Sequence, residues 1–324
     1  MHNPKTVFMF SGQGSQYFHM GQVLYEQQPV FRRWMQRLDT MACDLSGHSV
    51  VDNLYSADRT KSEVFEQIRL THPAIFMVEY ALARTLIEAG VTPDVTLGAS
   101  MGSFAAAAVA GCMTVEEALT AVIRQAEILE ASCRKGGMLA ILADVNLYQE
   151  DVLRNNSEIA SHNFASHFVV SAPYDRFEPI EAFLRKMGVP FQRLPVTFAF
   201  HSRWIDEVES PLQSHFSSLK HQPATIPIAC CAHTQIIQAL PENYFWTMAR
   251  KPIEFRKTIE HLESHGHYRY IDVGPAGTLA TFLRYILPPT SASKMQSILT
   301  PFGRDMANLA AVTSSAGSTA SFAS

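Results

Sequence analysis

Leu97-Gly98-Ala99-Ser100-Met101-Gly102 lies between an apolar run and an alanine-rich segment. Val95-Thr96-Leu97 has the residues of a buried strand end, and Ser103 to Ala110 (Ser-Phe-Ala-Ala-Ala-Ala-Val-Ala) those of a strong helix. A strand, a tight turn and a helix are the context in which G-x-S-x-G works as a nucleophile elbow, which makes Ser100 the candidate nucleophile. The flanking Gly98 and Gly102 supply the backbone room needed beside a serine held in a strained conformation.

Upstream, Thr6 to Phe10 reads as a strand that runs into the glycine-punctuated loop Ser11-Gly12-Gln13-Gly14-Ser15-Gln16. Helical spacing covers 29 to 44 and 72 to 89, with Gly90 as a stop. Thr114 with Glu117 predicts a capped helix that runs to Ser132. From Gly136 the texture changes. Strands at 138–143, 158–161, 167–171 and 190–194 and helices at 147–154 and 176–187 follow the order β-α-β-β-α-β, the split pattern of a small ferredoxin-like unit.

The α/β texture then returns, with helices at 203–218, 241–249, 254–264 and from Ala276, and strands at 226–230 and 268–273. The expected architecture is an α/β large domain (1–134 and 200–312) interrupted by the ferredoxin-like subdomain (135–199). The Ser/Ala/Thr/Gly-rich stretch 313–324 reads as a disordered tail.

Composition narrows the function. Across 324 residues, 47% are hydrophobic and the net charge is −4 with basic residues scattered, which points to neither a nucleic-acid nor a membrane partner. The five cysteines lack C-x-x-C spacing and predict a reducing, cytoplasmic setting with no disulfide framework and no zinc site. Nothing reads as a signal peptide or a membrane span. His261 and His265 have metal-pair spacing, but with no second ligand cluster nearby they read as a solvated helix face.

A serine nucleophile needs a base and oxyanion donors. His201, where Thr197-Phe198-Ala199-Phe200 meets a helix start, is the candidate base among thirteen histidines. Gln13 on the first loop and Met101 after the serine are placed to offer backbone N–H groups.

Five segments then occur together: Gly12-Gln13-Gly14-Ser15-Gln16, Thr71-His72-Pro73-Ala74, the elbow, Ala199-Phe200-His201-Ser202 and Val273-Gly274-Pro275-Ala276-Gly277. In order and spacing the chain resembles the malonyl-CoA:acyl-carrier-protein transacylases and polyketide-synthase acyltransferases over about residues 5 to 290. The resemblance implies an α/β-hydrolase-like large domain, a ferredoxin-like small one and a cleft between them. It implies a Ser100–His201 dyad whose imidazole is oriented by a backbone carbonyl, and alignment of Lys251-Pro252-Ile253 places that carbonyl at Met248. No cofactor is bound; the acyl group arrives as a thioester on the phosphopantetheine of an acyl carrier protein or of CoA. The carrier protein is the expected partner, and the chain is expected to act as a monomer.

Two departures alter the expected substrate. Ala99 stands where the family usually has histidine, and Gln125, twenty-five residues past Ser100, stands where extender-unit transferases carry an arginine for the malonyl carboxylate. Arg124 cannot take that role, because at about 100° per residue Gln125 shares the apolar stripe of Ala118, Val122 and Leu129 while Arg124 points away. Phe198, Ala199 and Phe200 are expected to line the acyl pocket with Ala99 and Gln125. His72, which replaces a family glutamine, either touches the cleft or only caps its helix. The Phe-Ala-Phe-His-Ser segment resembles the malonyl-type specificity motif and pulls the other way.

Loss of the cation weighs more, and the expectation is a trans-acting acyl hydrolase that removes neutral acyl groups from carrier proteins. A malonyltransferase and an inactive carrier-binding scaffold stay open as alternatives.

Overall fold

The computed structural model describes residues 4–317. Its strands are β1 (Lys5–Phe10), β2 (Val95–Gly98), β3 (Gly136–Ile141), β4 (Glu158–Phe164), β5 (His167–Pro173), β6 (Phe191–Arg193), β7 (Ile228–Cys230), β8 (Gln235–Ile237), β9 (Tyr268–Asp272) and β10 (Lys294–Ser297). Among the described residues these form two sheets, a six-stranded one in the order β10-β9-β1-β2-β7-β8 and a four-stranded one in the order β4-β5-β3-β6. The fold class is α/β.

In the larger sheet all neighbours run parallel except the edge pair β7–β8. Val7, Phe8, Met9 and Phe10 are fully buried, as a central strand covered by helices on both faces requires. Residues 136–193 build the smaller sheet, which is antiparallel throughout. It is joined to the larger layer where Ile253 donates its N–H to the Ala160 carbonyl and accepts from His162 N, at 2.9 and 2.8 Å.

The register of the two central strands creates the site. Phe10 pairs with Gly98, so the loops that follow β1 and β2 leave the carboxyl edge of the sheet side by side, where open α/β sheets bind their ligands. Close approach then dictates glycine. A Cβ at Gly12 would lie 2.9 Å from the Ser100 Cβ, one at Gly98 would lie 2.5 Å from the Ser103 Cα, and one at Gly102 would lie 2.3 Å from the Phe10 carbonyl oxygen. The elbow glycines are therefore demanded by packing against backbone, which cannot move aside as a side chain can.

Helix Val115–Ser132 carries the expected capping box: Glu117 N donates to Thr114 Oγ1 at 3.1 Å and Thr114 N to Glu117 Oε2 at 3.0 Å. Helix Ile68–Glu88 begins a turn before the expected residue 72, and Pro73, its sixth residue, lies past the orphan N–H groups of the first turn, so it removes the hydrogen bond that the Arg69 carbonyl would otherwise accept.

Other expectations need correction. Segment 203–218 is a 3₁₀ turn (Arg203–Val208) followed by the helix Glu209–Ser217. The short strands β8 and β10 have too little alternation to announce themselves. The presumed tail begins as the last turns of helix Asp305–Gly317, held by the burial of Leu309 and Val312; 318–324 lie outside the described residues. His261 and His265 do share a face of helix Phe255–Glu263 and its C-terminal turn, as expected, and meet edge to face at 4.6 Å, while Glu263 turns inward to accept from Tyr270 Oη at 2.8 Å.

Candidate active site

Ser100 closes the turn after β2 with φ 55°, a left-handed conformation that L side chains avoid, which throws its Oγ out of the strand direction into the cleft. His201 also has a positive φ, 60°, and is held from two sides. Its backbone N–H donates to the Ala249 carbonyl at 2.8 Å, and the carbonyl before it, on Phe200, accepts from Ser171 Oγ.

The result is a Ser100 Oγ to His201 Nε2 distance of 2.8 Å. His201 Nδ1 donates to the Lys251 carbonyl at 2.7 Å. A carbonyl can only accept, so the proton sits on Nδ1 and the bare Nε2 is left to accept from the serine hydroxyl.

That carbonyl belongs to Lys251 and not, as expected, to Met248. Helix Tyr244–Arg250 ends before Lys251, and the following Pro252 forces Lys251 into an extended conformation (φ −80°, ψ 150°) that swings its carbonyl out towards the imidazole. Met248 contributes to the cleft lining instead.

Gln13 and Met101 both line the cleft beside Ser100, and among the described residues neither backbone N–H donates a hydrogen bond. Two free amides in the lining beside one serine are candidate donors for an oxyanion. The loop bearing Gln13 rests on buried carboxylates that the sequence did not single out. Ser11 N and Oγ both donate to Glu79 Oε1, at 2.6 and 3.0 Å, while Asp272 accepts from Gly274 N and Ala280 N at 2.9 and 2.8 Å. Burial pushes Asp272 up to about 6 against those amide bonds, and it drives Glu79 well above the carboxylate range. A Cβ on Gly274 would fall 2.2 Å from Ser11 Oγ, so the Val273-Gly274-Pro275 stretch acts as a brace for the first loop.

The cleft is about 1040 Å³ including its mouth, and both layers line it. Ala99, Gln125, Phe200 and His72 all face it, which settles His72 as a cleft residue. Phe198 and Ala199 do not. The segment is extended, so Ala199 points back at Gly136, and Phe198 lies one step farther from the cleft, under the Lys135 ammonium at 4.1 Å. From the smaller layer come Asn163 and His167, joined at 2.9 Å, which sequence spacing alone could not bring to the site.

Among the described residues, no Lys, Arg, Asp or Glu lines this cleft. Arg124 is half exposed on the outer face of its helix and paired with Glu127 at 2.6 Å, as the helical phase required. Nor do the histidines supply positive charge. Burial pulls His201 down to about 4 and His72 to about 3, and it lowers His167 as well. The Lys251 bond only partly opposes the shift at His201, and Arg250 adds to it.

His201 is therefore a neutral base across the ordinary pH range. The rate of Ser100 acylation, followed by rapid quench and intact mass, is expected to stay flat from about pH 8 down to about 5. It should fall only as the imidazole protonates near pH 4, well below the ordinary histidine range.

The comparisons with known proteins point to one family. A sequence profile of the acyl transferase domain matches residues 7–319. The chain belongs to the acyl transferase domain family. Two relatives cover 95% of this chain and 95% of their own length at 42% identity: the polyketide biosynthesis acyltransferase homologs BaeD of Bacillus velezensis and PksD of Bacillus subtilis. Among solved structures, the acyl transferase domain of SpnD in complex with 2-(pent-4-yn-1-yl)malonyl matches with TM-score 0.88 and 26% identity, over 98% of this chain and 78% of that one. MCAT from Streptococcus pneumoniae, at 22% identity and TM-score 0.79 over 96% of this chain and all of that one, shares the fold.

Proposed function

We propose that this acyl transferase domain protein is a trans-acting acyl hydrolase that removes acetyl or longer neutral acyl groups from the phosphopantetheine of polyketide-synthase acyl carrier proteins. Ser100 Oγ attacks the thioester carbonyl while His201 Nε2 takes the hydroxyl proton, and the oxyanion is received by Gln13 N–H and Met101 N–H. The C–S bond breaks and the thiol leaves with the proton from His201. Water then attacks the acyl-enzyme, its proton passing to His201 and on to Ser100 Oγ, and the free acid departs.

The observation that carries this reading is a cleft lined by Gln125 and by no charged side chain. A malonyl carboxylate there would lack its counter-charge, which costs about 3–5 kcal/mol, or two to four powers of ten in affinity. The 42% identity to BaeD and PksD supports the setting in polyketide biosynthesis. Five unpaired cysteines fit a reducing compartment. As part of the same reading, the strand order β4-β5-β3-β6 supports a ferredoxin-like subdomain (135–199) inserted into an α/β-hydrolase-like domain.

The test is incubation with acetyl- and butyryl-carrier protein and, separately, with malonyl-CoA plus carrier protein, followed by intact mass. Free acid and unloaded carrier protein are expected from the first pair. Rapid malonyl loading of Ser100 and transfer onward, with neutral groups left in place, would overturn the proposal.

A further inference from the structure

Gln125 and His72 reach the same cleft from two helices, Val115–Ser132 and Ile68–Glu88, and are 3% and 1% exposed. Both are poorly answered by the protein. The Gln125 side chain makes no hydrogen bond among the described residues, and its Oε1 is buried without a partner. His72 has one long contact, Nε2 to Gln13 Oε1 at 3.4 Å, and its Nδ1 is buried without a partner.

The chemistry of these atoms is specific. Gln13 Oε1 can only accept, so His72 carries its proton on Nε2, and its Nδ1 is a bare acceptor. Gln125 Oε1 is an acceptor too. Two unanswered acceptors in a cleft whose lining also includes Phe200, Phe104 and Met138 call for a ligand that brings a donor.

An alkyl chain brings none. A carboxylate or a ketone brings only acceptors, which a turned Gln125 amide answers but which leave His72 Nδ1 without a donor. An ammonium brings donors, but with a charge that no lining residue balances. A hydroxyl is neutral, donates to one acceptor, and can itself accept from the amide NH₂ if the Gln125 amide turns about its last bond. Gln125 stands where the resemblance places the reader of the malonyl carboxylate carbon, which is C3 of the acyl group.

We propose that Gln125 and His72 form a hydroxyl-recognition site and that the preferred acyl groups are 3-hydroxyacyl chains. The inference rests on the proposed use of neutral acyl thioesters, and it concerns which of them acylates Ser100. The physical basis for discrimination is that a site built around a substrate hydroxyl leaves buried polar groups unpaired when the hydroxyl is missing, so the analogue is rejected.

The experiment compares 3-hydroxybutyryl, butyryl, 3-oxobutyryl and malonyl groups on one carrier protein, reading the rate of Ser100 acylation by rapid quench and intact mass. In the natural sequence 3-hydroxybutyryl is expected to load about tenfold faster than butyryl or more, a difference of about 1.4 kcal/mol or above. In Gln125→Leu, which keeps the side-chain size within an apolar helix stripe, that ratio is expected to fall to within about twofold of unity, and His72→Phe is expected to reduce it as well. Equal loading of 3-hydroxybutyryl and butyryl by the natural protein would mean that water answers these acceptors, and would overturn this inference while leaving hydrolysis of neutral groups intact. Loading of malonyl alone would overturn both. The comparison on the natural protein stands whether or not a variant folds.

Discussion

Ser100→Ala is expected to abolish the acyl-enzyme adduct and to lower turnover of acyl carrier thioesters by about 10⁴-fold or more; His201→Ala is expected to fall to a similar floor, and the double variant little further. The effects overlap because the two side chains act as one device. With Oγ 2.8 Å from Nε2 and Nδ1 tied to the Lys251 carbonyl, the serine has a single base, and without it the hydroxyl at neutral pH is a weak nucleophile. What remains in any of these variants is binding and the two free amides of Gln13 and Met101. Intact mass after incubation with acetyl-carrier protein measures the adduct, and release of free acid measures turnover. A Ser100→Ala variant with unchanged hydrolysis would remove the serine from the mechanism and return the chain to the scaffold alternative.

Gln125→Arg is expected to raise malonyl loading of Ser100 by two or more powers of ten and to slow loading of neutral groups. The magnitude follows from restoring the partner of a buried carboxylate, about 3–5 kcal/mol. The change is directional because the cleft as it stands has no charged lining residue, and because Arg124, the nearest cation in sequence, is committed to Glu127 outside. Intact mass after brief exposure to malonyl-CoA reads the gain. If none appears, Gln125 does not meet the acyl group, and the basis for neutral-acyl selectivity is lost.

Much of the site was legible because it is local. The elbow needs only a strand, two glycines and a helix within a dozen residues, and the helical phase that turns Gln125 inward and Arg124 outward depends on nothing beyond its own turn. The same holds for the Thr114–Glu117 cap. The misses share the opposite character. Whether the carbonyl behind His201 came from Met248 or Lys251 depended on where one short helix stopped against Pro252. Phe198 and Ala199 were apolar and adjacent to His201, but a bridge to Lys135 turned one under a cation and the other against Gly136. Glu79 and Asp272 looked like ordinary carboxylates within a helix and a strand until packing put them beneath Ser11 without solvent.

By itself the sequence singled out Ser100 as the candidate nucleophile, placed Gln125 on the inward face of its helix and announced most of the α and β elements, because residue identity and short-range periodicity act over a few residues of chain. Only the tertiary structure decided which carbonyl orients His201, which side chains face Ser100 and that the cleft is free of charge. Those depend on the pairing of Phe10 with Gly98 and on the contact of the smaller sheet with Ile253, which bring together groups from opposite ends of the chain, where desolvation sets their protonation.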